Sequence, residues 1–226
     1  MNRMKKITYI LSGIMALLSA LPIHAQRTLS EGTITYDIVI NTGKAKPQAA
    51  DLLDGATSVV YLKGKSSRSE MISPLGQQAT IVDGKTGNVT VLKEYGKQKY
   101  MITMTPDNWI TSNEKYKGIK FNFSDVSKVI LGYTCQKAVG TLADGSTFTV
   151  YFTRELLPVN KDFQYLNKDL PGLAMQYEAN IGNLKATYTV SNINFDPVAQ
   201  AKFELPTSGY RVLTYEESLG DGTKDN

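Results

Sequence analysis

Hydrophobic residues in this chain recur at every second position, and that period restricts it to β structure. Glu31–Ile40 places Ile34, Tyr36, Ile38 and Ile40 on one face and Thr33, Thr35, Asp37 and Val39 on the other. A helix would scatter these residues around its axis. A strand gathers them, because successive side chains point to opposite faces. Ala56–Lys63 alternates around Val59 and Tyr61, Val89 and Val91 share a face with Tyr95, and Tyr100, Ile102 and Met104 do the same. Phe148, Val150 and Phe152 oppose Thr147, Thr149 and Tyr151. Between such runs stand Asp83-Gly84, Asp144-Gly145 and Gly182-Asn183, each a favoured hairpin corner. They predict one hairpin over 133–153 and a longer one over 173–195.

Helical signals are few. Pro106–Tyr116 has Thr105 as a cap, Pro106 at the first position and Trp109 and Ile110 as an apolar contact. Gln48–Leu53 and Pro197–Lys202 are shorter candidates, the latter behind Asp196, and 159–169 is irregular or a short helix. The stretch from Glu216 is polar and Gly-rich and reads as a flexible tail, 216–226. No linker or repeat divides the remainder, so residues 26–215 form one β-rich domain of roughly nine to eleven antiparallel strands with a few covering helices. The second strand faces are not uniformly charged. They carry Val39, Val60, Leu62, Leu92, Met101 and many threonines. Such faces suit a strongly curved sheet whose second side is covered or lines a cavity, or a sandwich whose second face is packed.

Residues 1–25 read as a secretory signal peptide. Arg3, Lys5 and Lys6 precede an apolar run from Ile7 to Leu21, and cleavage is placed after Ala25. No later run approaches membrane length, so no transmembrane span is expected after leader removal. Of the 25 basic residues, three lie in the leader, leaving 22 against 21 acids. A mature chain so close to neutral is a poor nucleic-acid binder. The lysines of Lys63-Gly64-Lys65 and of Lys93 to Lys99 read as exposed hairpin ends, with anionic lipid headgroups as the alternative contact. The single cysteine, Cys135, permits no internal disulfide and reads as a buried, inert thiol.

The only histidine, His24, lies in the leader. A mature chain without imidazole lacks Ser-His-Asp, Cys-His and most zinc-site chemistry. Paired carboxylates remain as a route to hydrolysis. Glu155, Asp162, Asp169, Glu178 and Asp196 are the candidates, with no pairing legible among them. Ser66-Ser67 beside Lys65 lacks the helical spacing of a Ser-Lys catalyst and reads as an exposed hairpin. Asp51-Leu52-Leu53-Asp54-Gly55 lacks the alternating oxygen ligands of a calcium loop. Gly84-Lys85-Thr86-Gly87 lacks the first glycine of a phosphate loop. Asn88-Val89-Thr90 and Asn122-Phe123-Ser124 match the glycosylation sequon by a pattern common by chance. No catalytic residue, metal or cofactor is expected.

Three segments of the C-terminal half carry a resemblance. They are Gly132-Tyr133-Thr134-Cys135-Gln136-Lys137-Ala138, Tyr151-Phe152-Thr153-Arg154-Glu155-Leu156-Leu157-Pro158, and Asp169-Leu170-Pro171-Gly172-Leu173-Ala174. In this order they resemble the GLPGLI family of exported proteins of Gram-negative bacteria. The last matches four of the six signature positions, with Asp169 for the first Gly and Ala174 for the final Ile. Phe203-Glu204-Leu205-Pro206 to Gly209-Tyr210 is similar to the ending of related exported domains. The resemblance covers roughly 120–215. It implies a fold like the periplasmic lipoprotein carriers, a half-barrel of strongly curved antiparallel sheet, and supplies no activity or catalytic residue. From backbone chemistry alone, Pro171 and Gly172 make a tight turn that points Leu170 and Leu173 into the core.

The expectation is a non-catalytic periplasmic or secreted protein of the Gram-negative envelope that binds a lipid or acyl chain. Its tyrosines, methionines and Trp109 are the candidate lining residues. The second expectation is an envelope interaction module with a protein partner, and the third a carboxylate hydrolase.

Overall fold

The computed structural model describes residues 26–40, 55–181 and 184–220. The leader, the Gln48–Leu53 helix candidate, the Gly182-Asn183 corner and residues 221–226 lie outside the described residues. In chain order the strands are β1 (Arg27–Leu29), β2 (Glu31–Ile40), β3 (Thr57–Lys63), β4 (Ser66–Ser73), β5 (Gly76–Val82), β6 (Val89–Tyr95), β7 (Gln98–Met104), β8 (Lys120–Ile130), β9 (Tyr133–Thr141), β10 (Thr147–Thr153), β11 (Leu156–Pro158), β12 (Leu173–Ile181), β13 (Leu184–Asn194) and β14 (Arg211–Thr214). The short β1 and β11 pair with each other in parallel. The other twelve form one sheet. Its order is β14-β7-β6-β5-β4-β3-β2-β13-β12-β10-β9-β8, so β2, first of these in the chain, sits near the middle. The large antiparallel sheet with few helices agrees with the period-two pattern.

Three details differ from the sequence reading. The sheet is neither strongly curled nor closed into a half-barrel, and β14 and β8 are its two edges. The half-polar second faces that suggest curvature are covered in part by a separate length of chain, described below. Second, β14 joins β7 in parallel, not antiparallel. Third, β4 is not legible as a strand, because Ser66-Ser67-Arg68-Ser69-Glu70 shows no hydrophobic alternation. Its backbone nonetheless pairs with β3 and β5 along its length. Ser67 is consequently buried, not part of an exposed hairpin.

Side chains that face each other across strand pairs define a front face. Ile34 opposite Val60, Val82 opposite Val89, and Val91 opposite Ile102 belong to it. Val60 and Leu62, which the alternation assigns to the second face, therefore lie on the front. Helix α1 (Pro106–Ser112) covers one end. Thr105 accepts from the Asn108 amide at 3.2 Å while Asn108 Oδ1 accepts from the Thr105 amide at 3.1 Å, a reciprocal cap that satisfies donors the helix leaves open. Trp109 packs from α1 onto the cluster of Val82, Val89 and Ile102, and meets Tyr165 edge-on at 6.0 Å. Tyr165 belongs to a 3-10 segment, Asp162–Asn167, that covers the middle of the same face. There Tyr36 donates to the Ala174 carbonyl at 3.1 Å, and burial pushes its phenol well above the usual range. Tyr177 stacks on Tyr188 at 4.8 Å.

The Leu170–Leu173 segment behaves as its backbone implies, with a different role for the glycine. Leu170 and Leu173 are both fully buried. Gly172 is required by close approach: a Cβ there would stand 1.9 Å from the Thr153 carbonyl oxygen. Cys135 is buried and free, and burial pushes its thiol up to about 11. Lys93, read as part of an exposed hairpin end, is buried on the front face opposite Tyr100.

Candidate functional site

The other face, the back, is closed by chain rather than by helices. After β13, residues 196–210 cross it as an irregular strap containing one 3-10 turn, Gln200–Phe203. The turn's cap position is Ala199, three residues after the expected Asp196, and it has no side-chain cap. Polar contacts fasten the strap along its length. Glu31 accepts from the Val198 amide at 2.9 Å and from Lys63 Nζ at 2.6 Å, and Lys63 also donates to the Val198 carbonyl at 2.7 Å. Arg68 donates to the Lys202 carbonyl at 3.2 Å, and Lys202 donates to the Tyr61 hydroxyl at 3.3 Å. At the far end Tyr210 donates to Glu94, which also pairs with Lys99 at 2.6 Å. Beneath Tyr210 lie Ala79, Leu92 and Met101, so the apolar second-face residues of β6 and β7 are packed. Val39, on the uncovered part, is 58% exposed.

These contacts set the protonation of the fasteners. The hydrogen bond from Lys63, then the Val198 amide, holds Glu31 below the ordinary carboxylate range. Lys99 and then Tyr210 do the same to Glu94. Burial, with the hydrogen bond to Glu94, pushes the Tyr210 phenol up to about 12.

Where the strap leaves the sheet a gap, a groove of about 630 Å³ opens. Its floor comes from Ile81, Thr90, Thr103 and Thr214 of adjacent strands, and its roof from Gln200, Phe203 and Leu205 of the strap. Its mouth lies between the β5–β6 turn (Asp83, Lys85, Asn88), the start of α1 (Thr105, Asn108) and Glu216 of the C-terminal helix α2 (Tyr215–Gly220). That helix occupies the start of the stretch read as a flexible tail.

The sequence folds locally to make this mouth. Asp83 Oδ1 accepts from the Lys85 amide at 2.7 Å and from the Thr86 amide at 3.4 Å, and the first of these leads in holding the carboxyl below its usual range. The β5–β6 turn therefore runs from Asp83 to Asn88, longer than a two-residue corner at Asp83-Gly84. Gly84 sits against the β3–β4 turn, where a Cβ would meet the Ser66 amide at 2.6 Å, and its own amide donates to Ser66 Oγ at 3.1 Å. On the other lip Asn108 donates to Glu216 at 3.0 Å.

The expected lining residues are mostly elsewhere. Met104 lines the groove, but Trp109, Tyr36, Tyr177 and Tyr188 fill the front-face core, and Tyr61 and Tyr210 fasten the strap. The sequence reading places Gln200 in a helix candidate and Phe203 and Leu205 in the resemblance, but assigns none of them to a lining, because an irregular segment shows no periodicity. The signal that could have found the roof is the apolar pair Phe203 and Leu205, which belongs to no strand-like run.

Two of the candidate carboxylates are held by neighbouring groups. Glu155 accepts from the Thr134 amide at 3.1 Å, and Glu178 accepts from the Thr149 amide at 2.9 Å and pairs with Lys185 at 3.2 Å. Among the described residues, no three His, Cys, Asp or Glu side chains gather as a metal site, and no helix is long and apolar enough to cross a membrane.

No protein-family model matches the chain, and no curated protein sequence matches it significantly. Solved structures show distant likeness. An uncharacterized conserved protein from Thermus thermophilus is similar with a TM-score of 0.48 and 10% identity, over 89% of this chain and 99% of that one. PNGF-II is similar with a TM-score of 0.46 and 13% identity, over 84% of this chain and 33% of that one, so the chain spans about a third of its length. LprF from Mycobacterium bovis is similar with a TM-score of 0.35 and 11% identity, over 75% of this chain and 88% of that one. All three likenesses are too weak to carry an argument about ligand or activity.

Proposed function

We propose that this chain is an exported, non-catalytic binding protein of the Gram-negative envelope, a member of the GLPGLI family, that holds an amphipathic ligand in the back-face groove. The observation that carries this reading is the groove itself: about 630 Å³, with apolar Ile81, Phe203 and Leu205 inside and polar side chains at the mouth. That volume falls within the range of small-molecule sites. On the front face Trp109, Tyr177 and Phe152 pack into the core clusters.

Mass spectrometry of the protein extracted from its native envelope tests the reading. A co-purifying amphiphile that is lost from a Phe203→Asp variant is the expected result. Recovery of the wild-type protein without any bound amphiphile would overturn it.

A second reading, an envelope interaction module, is favoured by β8. This edge strand exposes Phe123, Val126 and Val129, the last at 68%. A protein partner adding a strand there would use its open backbone groups. The irregular pairing between Phe123 and Ser127 interrupts that edge and limits such addition.

A further inference from the structure

We infer that the groove selects a ligand whose polar end is neutral and rich in hydroxyl groups, such as a sugar head on an apolar tail. This rests on the groove reading above and narrows it to a ligand class. Charge gives the first argument. Of the charged residues that line the groove, Asp83 and Glu216 are acids and Lys85 is the single base. A carboxylate or phosphate head would meet more negative than positive charge, which disfavours it.

Each acid also has one oxygen engaged. Asp83 accepts from two amides of its own turn, and Glu216 accepts from Asn108. Each carboxylate keeps its second oxygen open, so a cationic head is the competing occupant, and the ammonium probe below decides between the two.

The remaining polar side chains supply the positive argument. Asn88, Thr90 and Gln200 line the groove, and their side chains make no hydrogen bond within the described residues. An amide offers a donor and an acceptor together, and a hydroxyl does the same. A sugar hydroxyl also donates and accepts, so it can satisfy both functions of a facing amide. A carboxylate accepts only and leaves the amide oxygen unmatched. The apolar tail then lies against Ile81, Phe203 and Leu205.

Three probes with one tail isolate the head: dodecyl maltoside, sodium dodecanoate and dodecyltrimethylammonium, each titrated calorimetrically below its micelle concentration. The maltoside is expected to bind about tenfold tighter than either ion, the effect of one or two net hydrogen bonds. The Asn88→Ala, Gln200→Ala double variant is expected to abolish that preference. Both side chains are exposed, so the variant folds. Equal affinity for all three heads, or a preference that survives the double variant, overturns the inference and leaves the groove reading standing. Failure of all three probes to bind overturns both.

Discussion

On the front face, Ile34, Val150, Phe152, Leu173 and Met175 are fully buried and interlock with aromatic rings. On the back face, the same sheet presents threonines and charged residues, and a single irregular strap is fastened over part of them by Glu31, Lys63, Arg68, Tyr61 and Glu94. The front is held by burial, which has no direction and little dependence on pH. The back is held by charge-assisted hydrogen bonds, which are directional and titrate, and by one smaller apolar patch of Ala79, Leu92 and Met101 under Tyr210. The front face secures the sheet, and the back face leaves room for a groove beside the strap.

The largest test of that division is Phe152→Ala, which removes a fully buried ring and should destabilise the protein by about 3–5 kcal/mol in denaturant unfolding. A loss under about 1 kcal/mol would mean that the front face does not dominate stability. Gly172→Ala should cost about 1–3 kcal/mol, because its Cβ must displace the Thr153 carbonyl. Melting at the wild-type temperature would show that the two segments can part freely.

Acid should release the back before the front. Glu31 and Glu94 have pKa values lowered from 4.5, so their contribution is full above that value and is lost as pH falls through the lowered ones. The Val198 amide, bonded to Glu31, should lose its hydrogen-exchange protection as pH falls below the ordinary carboxylate range. The Ile38 amide, bonded to the Ala56 carbonyl at 3.0 Å, should keep its own. Simultaneous loss would mean the strap and sheet unfold as one unit. The smallest expected effect is on Cys135: with the thiol buried and its pKa about 11, labelling at about pH 8 should be negligible until denaturant is added. Rapid labelling of the native protein would show that the front face opens locally.

The sequence is most legible where one face alone meets the core. In β2 the alternation from Ile34 to Ile40 reads directly as buried and exposed positions. Thr105-Pro106 announces α1 through chemistry confined to one turn. It is least legible where tertiary contact overrides local pattern. β4 is polar yet central, because its neighbours supply the pairing. The groove is hidden for a related reason: its floor is mostly threonines spread over separate strands, and its roof is brought back from residues 200–205. Tyrosines suggest a lining and are instead core or fasteners, since composition cannot say which face a ring occupies.

The parallel ladder between β14 and β7 couples two things that look independent. Arg211 to Thr214 can reach Tyr100 to Thr103 only after residues 196–210 have crossed the back of the sheet. Any proteolytic nick or truncation that lifts this crossing therefore also uncovers the β7 rim, turning a guarded border into a template for strand addition and self-association.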